Sequence, residues 1–519
     1  MTATAIQKKI INKNNKYRTR KEKMNYISTR NASTTFESVS AACAIKRGLS
    51  SNGGLFMPSR IPSLKEGEIE KIAEMSYPQR AAYVLSKYLT DYTYEELLED
   101  ASAAYSEERF PGGAAPITKV KEGIYSLELW HGPTCAFKDM ALQIMPRLLS
   151  RALKKTAEHS TALILVATSG DTGKAALEGY RDVDGIKIIV FYPKNGVSKV
   201  QELQMLTQEG ANVEVCPING NFDDAQTGVK RMFVDKKFAK TILDNGCILS
   251  SANSINFGRL APQIVYYISA YCDLVKNGEI KCGDEIDICV PTGNFGNILA
   301  AYMAKMMGMP FRRFVCASNQ NNILTDFIRT GVYDKSREFM LSISPSMDIL
   351  ISSNLERLLY LLAGDESTRL WMRALREDGK YEIDAQTLAK LQREFSGYFC
   401  SEEDTKATIK SVFENEKYLM DTHTAVGYNC AEQYIKENQD KKVPIVLAST
   451  ASPYKFASDV YASLVGEKPG DLEALELLCS YTGTDIPAPL ANIGERKVRF
   501  EGVCEVGDMP AQVDAFSKK

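Results

Sequence analysis

The sequence predicts an α/β architecture of two wound, mainly parallel sheets with flanking helices, preceded by a helical N-terminal region. Three observations carry that expectation. Short apolar runs recur between residues 116 and 450 without the strict alternation of a half-exposed strand, as strands buried on both faces require. Helical stretches separate these runs and complete βαβ units. Polar, glycine-rich turns stand where several of the runs end, which is where open α/β sheets place their ligands.

Taken in order, residues 1–23 carry Lys8, Lys9, Lys13, Lys16, Arg18, Arg20, Lys21 and Lys23 against Glu22 alone, with almost nothing to bury. Acid-poor basic starts resemble targeting presequences. This tract has few serines and no clear apolar stripe, and Met24 opens MNYISTRN like a natural start. A disordered basic extension on a cytoplasmic protein is the expectation. Residues 24–115 read as a mostly helical domain, clearest in AAYVLSKYL (81–89) and YEELLEDASAAY (94–105), with a Gly53–Gly54 turn between helices and a boundary at PGGAAP (111–116). Strands are expected at 124–130, 161–168, 186–193, 212–218, 286–292, 311–318 and 443–450, with helices at 173–181 and 296–308 between them. Residues 146–245 are expected to form a small α/β domain. A large one takes 116–145 and 246–519, with the charged, helical stretch at about 355–420 as an insertion.

With 519 residues, 44% hydrophobic and 25% charged, the chain has apolar material for at least two cores. A net charge of −2 gives no global field toward nucleic acid or a membrane surface. No run of about twenty apolar residues is present to span a bilayer. The twelve cysteines form no C-x-x-C pair, and only His131, His159 and His423 are available as imidazole ligands. The cysteines therefore read as small buried hydrophobes in a reducing compartment, and no metal is expected.

Four segments could do chemistry. VPTGNFGN (290–297) follows a strand and opens a helix. Gly293 and Gly296 allow close backbone approach, so successive N–H groups and the helix start could cradle a phosphate. A βα turn needs glycine for purely structural reasons just as well. ATSGDTGKAAL (167–177) repeats the pattern, with Ser169, Thr172 and nearby N–H groups able to hold a carboxylate or phosphate, or with Ser169, Asp171 or Thr172 merely capping the helix. In LELWHGPTCAFKDMALQ (127–143), Lys138 sits in an apolar setting at a helix start. A partly desolvated lysine there can lose its proton and attack a carbonyl, though such lysines also pair with a neighbouring acid, and Asp139 is the obvious one. SSANSINFGRLAPQ (250–263) offers Asn253, Ser254, Asn256 and Arg259, with Arg259 able to clamp a phosphate or simply to close a capped turn. His131 and His423 read as structural, hydrogen-bonded imidazoles.

Together NYISTRN, GGLFMP, HGPTCAFKDMALQ, ATSGDTG, NSINFGR, PTGNFGN, DTHTAVGY (421–428) and LASTASPYKF (447–456) resemble the threonine synthase family, pyridoxal-phosphate enzymes with the fold of the tryptophan synthase β subunit. The resemblance runs from about Tyr26 to the C-terminal region. It implies conversion of O-phospho-L-homoserine and water to L-threonine and phosphate, by a monomer or homodimer with no nucleic-acid or membrane partner. Lys138 matches the lysine that holds the cofactor covalently. Gly293, Asn294, Phe295, Gly296 and Asn297 match its phosphate loop, and Thr450 the hydroxyl near its pyridine nitrogen. Ser169, Asp171 and Thr172 match the turn near the substrate carboxylate and cofactor ring. Asn253, Ser254, Asn256 and Arg259 match a motif assigned to the substrate phosphate. Where many relatives read TAHPAKF, this chain carries Ser452 in place of the histidine and keeps Lys455 and Phe456. A related phospho-lyase and a non-catalytic cofactor-binding scaffold are the alternatives.

Overall fold

The computed structural model describes residues 23–32, 36–438 and 443–519. The basic tract expected as an extension lies, but for Lys23, outside the described residues. The N-terminal region is not wholly helical. It opens with a small antiparallel sheet in which β1 (Tyr26–Ser28) lies between β2 (Ser38–Val39) and β3 (Phe56–Pro58). Strands of two or three residues are too short to leave a periodic signature in the sequence. Helices Tyr77–Tyr88 and Tyr94–Ala104 fall where the pattern placed them, each started by a capping box, at Ser76–Gln79 and Thr93–Glu96.

The large sheet has six strands: β4 (Ile117–Lys121), β5 (Ile124–Glu128), β10 (Ile286–Pro291), β11 (Phe311–Ser318), β14 (Phe395–Phe399) and β15 (Ile445–Ser449). The small sheet has five: β6 (Thr161–Ala167), β7 (Ile186–Pro193), β8 (Val213–Asn219), β9 (Cys247–Ser250) and β16 (Cys504–Glu505). A two-stranded ribbon, β12 (Val332–Asp334) with β13 (Lys380–Glu382), completes the set. The large sheet runs β14-β11-β10-β15-β5-β4 and the small one β16-β8-β7-β6-β9. Every pairing in the two is parallel except β4 with β5.

Each sheet is buried on both faces. Along β10 and β15, Ile288, Val290, Val446 and Ala448 join one apolar cluster, while Cys289, Ile445 and Leu447 join another on the opposite side. In the small sheet, Ile164 and Val166 face the first cluster and Leu163 and Leu165 a third. That is why these strands read as continuous apolar runs. Each fully buried aliphatic side chain of this kind contributes about 1.5–3 kcal/mol. Nine of the twelve cysteines are buried free thiols, the small hydrophobes the sequence implied. No helix among the described residues is long and apolar enough to cross a membrane.

Two stretches differ from the expected layout. The segment expected as a helical insertion does carry helices Leu355–Glu377, Ala385–Glu394 and Glu402–Glu416, but β14 lies among them and joins the edge of the large sheet. β9 and β16, expected with the large sheet, lie at the two edges of the small one. β9 follows directly on the small domain's last helix, and β16 returns from the far end of the chain. The twenty-residue helix Phe257–Lys276 runs as a buried spine, with Phe257 edge-on to Tyr26 at 4.9 Å and Ser269 and Asp273 bound by Arg80.

Candidate active site

The C-terminal ends of β5, β6, β10 and β15 converge, and the four candidate segments leave from these ends or lie beside them. Lys138 opens the short helix Asp139–Leu142 after β5. Its amine lies 3.5 Å from Asp171 Oδ2 and 3.3 Å from Ser346 Oγ. Burial lowers its pKa, reinforced by the charges of Lys455 and Arg259 and opposed by Asp171. The partner suggested by sequence adjacency is therefore not the partner found. Asp139 turns the other way and accepts from the Thr134 N–H (2.8 Å), the Thr134 hydroxyl (2.8 Å) and Gln143. Consecutive residues of a helical turn point in different directions, and Asp139 closes its own loop.

Asp171, first residue of helix Asp171–Tyr180, is the charged hub. Its second oxygen binds Lys455 Nζ at 2.8 Å and Gln201 Nε2 at 3.0 Å. Burial works to raise its pKa, but Lys455 and Lys138 overcome that and hold the carboxyl well below the usual range. It is thus an anion matched to two buried cations, not a helix cap. The turn itself is built by Thr168, whose hydroxyl accepts from the N–H groups of Gly170 (3.0 Å) and Gly173 (2.9 Å). Gly170 sits at φ 133, outside the range of ordinary side chains. Ser169 is exposed and Thr172 half-buried at the mouth of this turn.

The loop after β10 enters helix Gly296–Met306 through Phe295, a non-glycine residue at φ 60. Among the described residues no acceptor takes the N–H groups of Asn294, Phe295, Gly296 or Asn297. The first helical turn holds no acid. This is an anion cradle: converging donors at a positive helix end. Asn297 directs its side chain inward, accepting from Tyr266 (2.7 Å) and Tyr267, with its amide nitrogen buried and unpartnered. Asn354 links this loop to the fourth segment. It donates its backbone N–H to Asn294 O (3.0 Å) and its side-chain amide to Ser254 O (3.2 Å), while Arg357 binds both Asn354 and Ile255 O.

Arg259 is 5% exposed and donates to Ala252 O at 2.9 Å. Its Nε has no partner and no carboxylate pairs with it among the described residues. Burial brings its pKa down to about 10. A buried guanidinium without an acid is costly unless an anion arrives. Asn256 does not share this role. Its oxygen caps helix Phe257–Lys276 through the Gly258 N–H (2.9 Å) and its amide binds Ile45 O (2.8 Å), fastening the N-terminal region. Asn253 is exposed on the rim and Ser254 half-buried beside Asn354. Thr450, at the end of β15, is buried and accepts the Phe137 N–H at 2.8 Å, which fixes the residue before Lys138. Ser452 is fully buried, its hydroxyl accepting from the Tyr454 N–H.

Sequence reasoning missed Ser346, Thr168, Asn354, Gln201 and Arg357, and it read both histidines as hydrogen-bonded imidazoles without identifying their partners. Those partners are Glu128 for His131 and Asp421 for His423, each at 2.7 Å. The arrangement joins a desolvated amine, a fixed carboxylate, an anion cradle and an unpaired guanidinium around one space. It suits a ligand that carries a carbonyl and more than one acidic group.

Comparison with known proteins agrees. The family described as "Pyridoxal-phosphate dependent enzyme" matches residues 113–450, "Threonine synthase N terminus" residues 25–105, and "Threonine synthase, C-terminal" residues 424–512. Human "Threonine synthase-like 1" is 42% identical over 81% of this chain, which spans 57% of that relative's length. Threonine synthase of Schizosaccharomyces pombe is 36% identical, with 85% of this chain and 89% of the relative covered. Among solved structures, PLP-bound threonine synthase from Brucella melitensis superposes with a TM-score of 0.85 at 34% identity, over 96% of this chain and all of that one. Yeast threonine synthase gives 0.84 at 32% identity, over 95% and 97%.

Proposed function

The chain belongs to the threonine synthase family of pyridoxal-phosphate-dependent enzymes, and we propose that it converts O-phospho-L-homoserine and water to L-threonine and phosphate. The observation that carries the reading is the pairing of the desolvated Lys138 amine with Arg259, a buried guanidinium that lacks an acid. A substrate with an amino acid at one end and a phosphate at the other answers both.

The residues present fit the cofactor. The N–H groups of Asn294 to Asn297 suit its phosphate, Lys138 its carbonyl carbon, and Thr450 a neutral ring nitrogen. Bound there, it would supply a sink for the charge left when a proton leaves carbon. The chain supplies the rest. Lys138, its amine made easier to deprotonate by burial, takes the proton from the substrate α-carbon. A β-proton is lost as phosphate leaves the γ-carbon, the γ-carbon gains a proton, water adds at the β-carbon, and Lys138 returns the proton to the α-carbon. A positioned base of this kind is worth about two to four orders of magnitude in rate. Ser169, Thr172 and the N–H groups of their turn hold the substrate carboxylate. Asp171 cannot share that task, since it is itself ionised. It keeps Lys138 and Lys455 in register instead. Arg259 and Ser254 hold the phosphate through its departure. The same reading takes the protein as cytoplasmic, a monomer or homodimer without nucleic-acid or membrane partners.

The test is to incubate the cofactor-loaded protein with O-phosphohomoserine and assay phosphate, threonine and ammonia together. Equal phosphate and threonine without ammonia is the expected result. Phosphate with ammonia would instead identify a phospho-lyase that does not hydroxylate the β-carbon, the alternative raised by Ser452. Silence in all three assays would refute both.

A further inference from the structure

We propose that Ser346 is the hydroxyl that orients the ε-amine of Lys138, and that the Asp421–His423 pair is the positioning device that holds Ser346 in place; this rests on the reading of Lys138 given above. Two groups reach the amine, Asp171 Oδ2 at 3.5 Å and Ser346 Oγ at 3.3 Å. The other oxygen of Asp171 is committed to Lys455 and Gln201. Ser346 is therefore the neutral partner, able to accept from the amine and to donate to Asp171 Oδ2, 3.5 Å away. Distances of this size shorten when a site fills.

The hydroxyl is useful only if its backbone is fixed, and three contacts fix it. The Ser346 N–H donates to His423 Nε2 at 3.1 Å. The Ser346 carbonyl oxygen occupies the space that a side chain at Gly293 would need, 2.6 Å from where a Cβ would stand. On the far side of the loop, Asp348 gathers Ser342 N–H (3.0 Å), Asn319 Nδ2 (2.7 Å) and Asn321 Nδ2 (2.9 Å). Ser346 thus touches both the phosphate cradle and the lysine.

His423 acts here through its tautomer. Asp421 Oδ2 lies 2.7 Å from Nδ1, so the proton resides on Nδ1 and the Nε2 lone pair faces the Ser346 amide. Asp421 is immobile because it also caps helix Thr422–Glu437, accepting from the N–H groups of His423 (2.9 Å) and Thr424 (3.1 Å). The Phe456 ring closes the other side of the imidazole at 4.8 Å. Carboxylate, imidazole and serine stand in sequence, yet the imidazole meets the serine's amide and not its hydroxyl. It cannot take the hydroxyl proton, so its task is to place the loop.

The experiment uses the full chain loaded with pyridoxal phosphate in four variants: Ser346→Ala, His423→Ala, His423→Gln and the double His423→Ala/Ser346→Ala. One readout is the rate at which borohydride fixes the cofactor to Lys138, followed by the mass of the Lys138 peptide. The other is kcat and KM for threonine formation. Losing a hydrogen bond to a charged group should slow fixation and lower kcat by roughly tenfold or more in Ser346→Ala, with KM little changed. His423→Ala should match it. His423→Gln should recover much of the loss, because its amide oxygen can stand near the former Nε2. The double variant should be no worse than Ser346→Ala alone, since His423 acts through Ser346. Wild-type fixation and kcat in Ser346→Ala, or additive losses in the double variant, would overturn the inference alone. Absence of fixation at Lys138 in the unmodified chain would overturn the reading of Lys138 as well.

Discussion

Replacing Lys455 tests whether Asp171 is held by a buried ion pair. The two side chains meet at 2.8 Å, with Lys455 0% and Asp171 5% exposed. Lys455→Met keeps the apolar length but removes the charge. It leaves Asp171 with Gln201 at 3.0 Å and Lys138 at 3.5 Å, and it strands Thr134 O and Gln204 Oε1, which now receive Lys455 at 3.1 and 2.9 Å. Removing one member of a buried pair costs about 3–5 kcal/mol, and the remaining lysine places this case near the lower end, about 3 kcal/mol. Asp171→Asn should cost about 2 kcal/mol by leaving Lys455 with two neutral acceptors. Each single variant leaves one member of the Lys455–Asp171 pair without the other, whereas the double Lys455→Met/Asp171→Asn removes both charges of that pair and leaves only Lys138, with Ser346 at 3.3 Å, to lose its acid. It should therefore be less destabilised than the sum by about 2 kcal/mol. Urea denaturation of all four proteins, with slopes compared, gives the cycle. A coupling below about 0.5 kcal/mol would refute the ion pair as a structural contributor.

Other perturbations follow the same geometry. Lys138→Ala should preserve the unfolding midpoint and nearly abolish turnover, checked by denaturation and by threonine formation side by side. Arg259→Met should raise KM for the phosphorylated substrate with a smaller effect on kcat, and relief of a buried charge should leave the unliganded protein no less stable. Gly293→Ala sets a methyl group 2.6 Å from Ser346 O, an overpacking that costs about 1–3 kcal/mol, and cofactor titration should show weakened binding. Asp139 carries a pH signature, because burial pushes its carboxyl up to about 6 from an ordinary 3.8. Below both values the carboxyl is protonated in folded and unfolded chains alike. Between them only the unfolded chain ionises, so stability falls as pH rises from about 4 to about 6, by at most about 3 kcal/mol. Asp139→Asn should remove that slope, which denaturation at pH 4.5 and 7 would reveal.

Most of the sheet framework was legible because β5, β6, β7, β8, β10, β11 and β15 are buried on both faces, and such strands must be apolar throughout. β14 was not, since its five residues FSGYF follow a charged helix without a turn signal. Lys138, Asp171, Arg259 and residues 293–297 stood out as polar or glycine-rich islands at strand ends, and the fold gathers them. Ser346 did not, because the SISPSMDI stretch (342–349) has neither helical nor strand period and owes its place to Gly293, His423 and Asp348, all remote in sequence. Asn256 misled for a related reason: its neighbours suit a ligand, but its own amide reaches back to Ile45. Composition reveals which residues can bind an anion. Only the route of the backbone decides which of them are already occupied.

The placement of β16 against β8 bears on how the protein is made. Cys504 and Cys216, whose sulfurs lie 3.1 Å apart across that edge, are separated by 288 positions. A ribosome moving at roughly 5–20 residues per second needs on the order of 15–60 s to cover that distance. Throughout that interval VEVCPIN has β7 on one side and nothing from its own chain on the other. A bare parallel edge is a template for foreign strands, so the nascent protein is open to mispairing at β8 until Cys504–Glu505 has been made and has docked there.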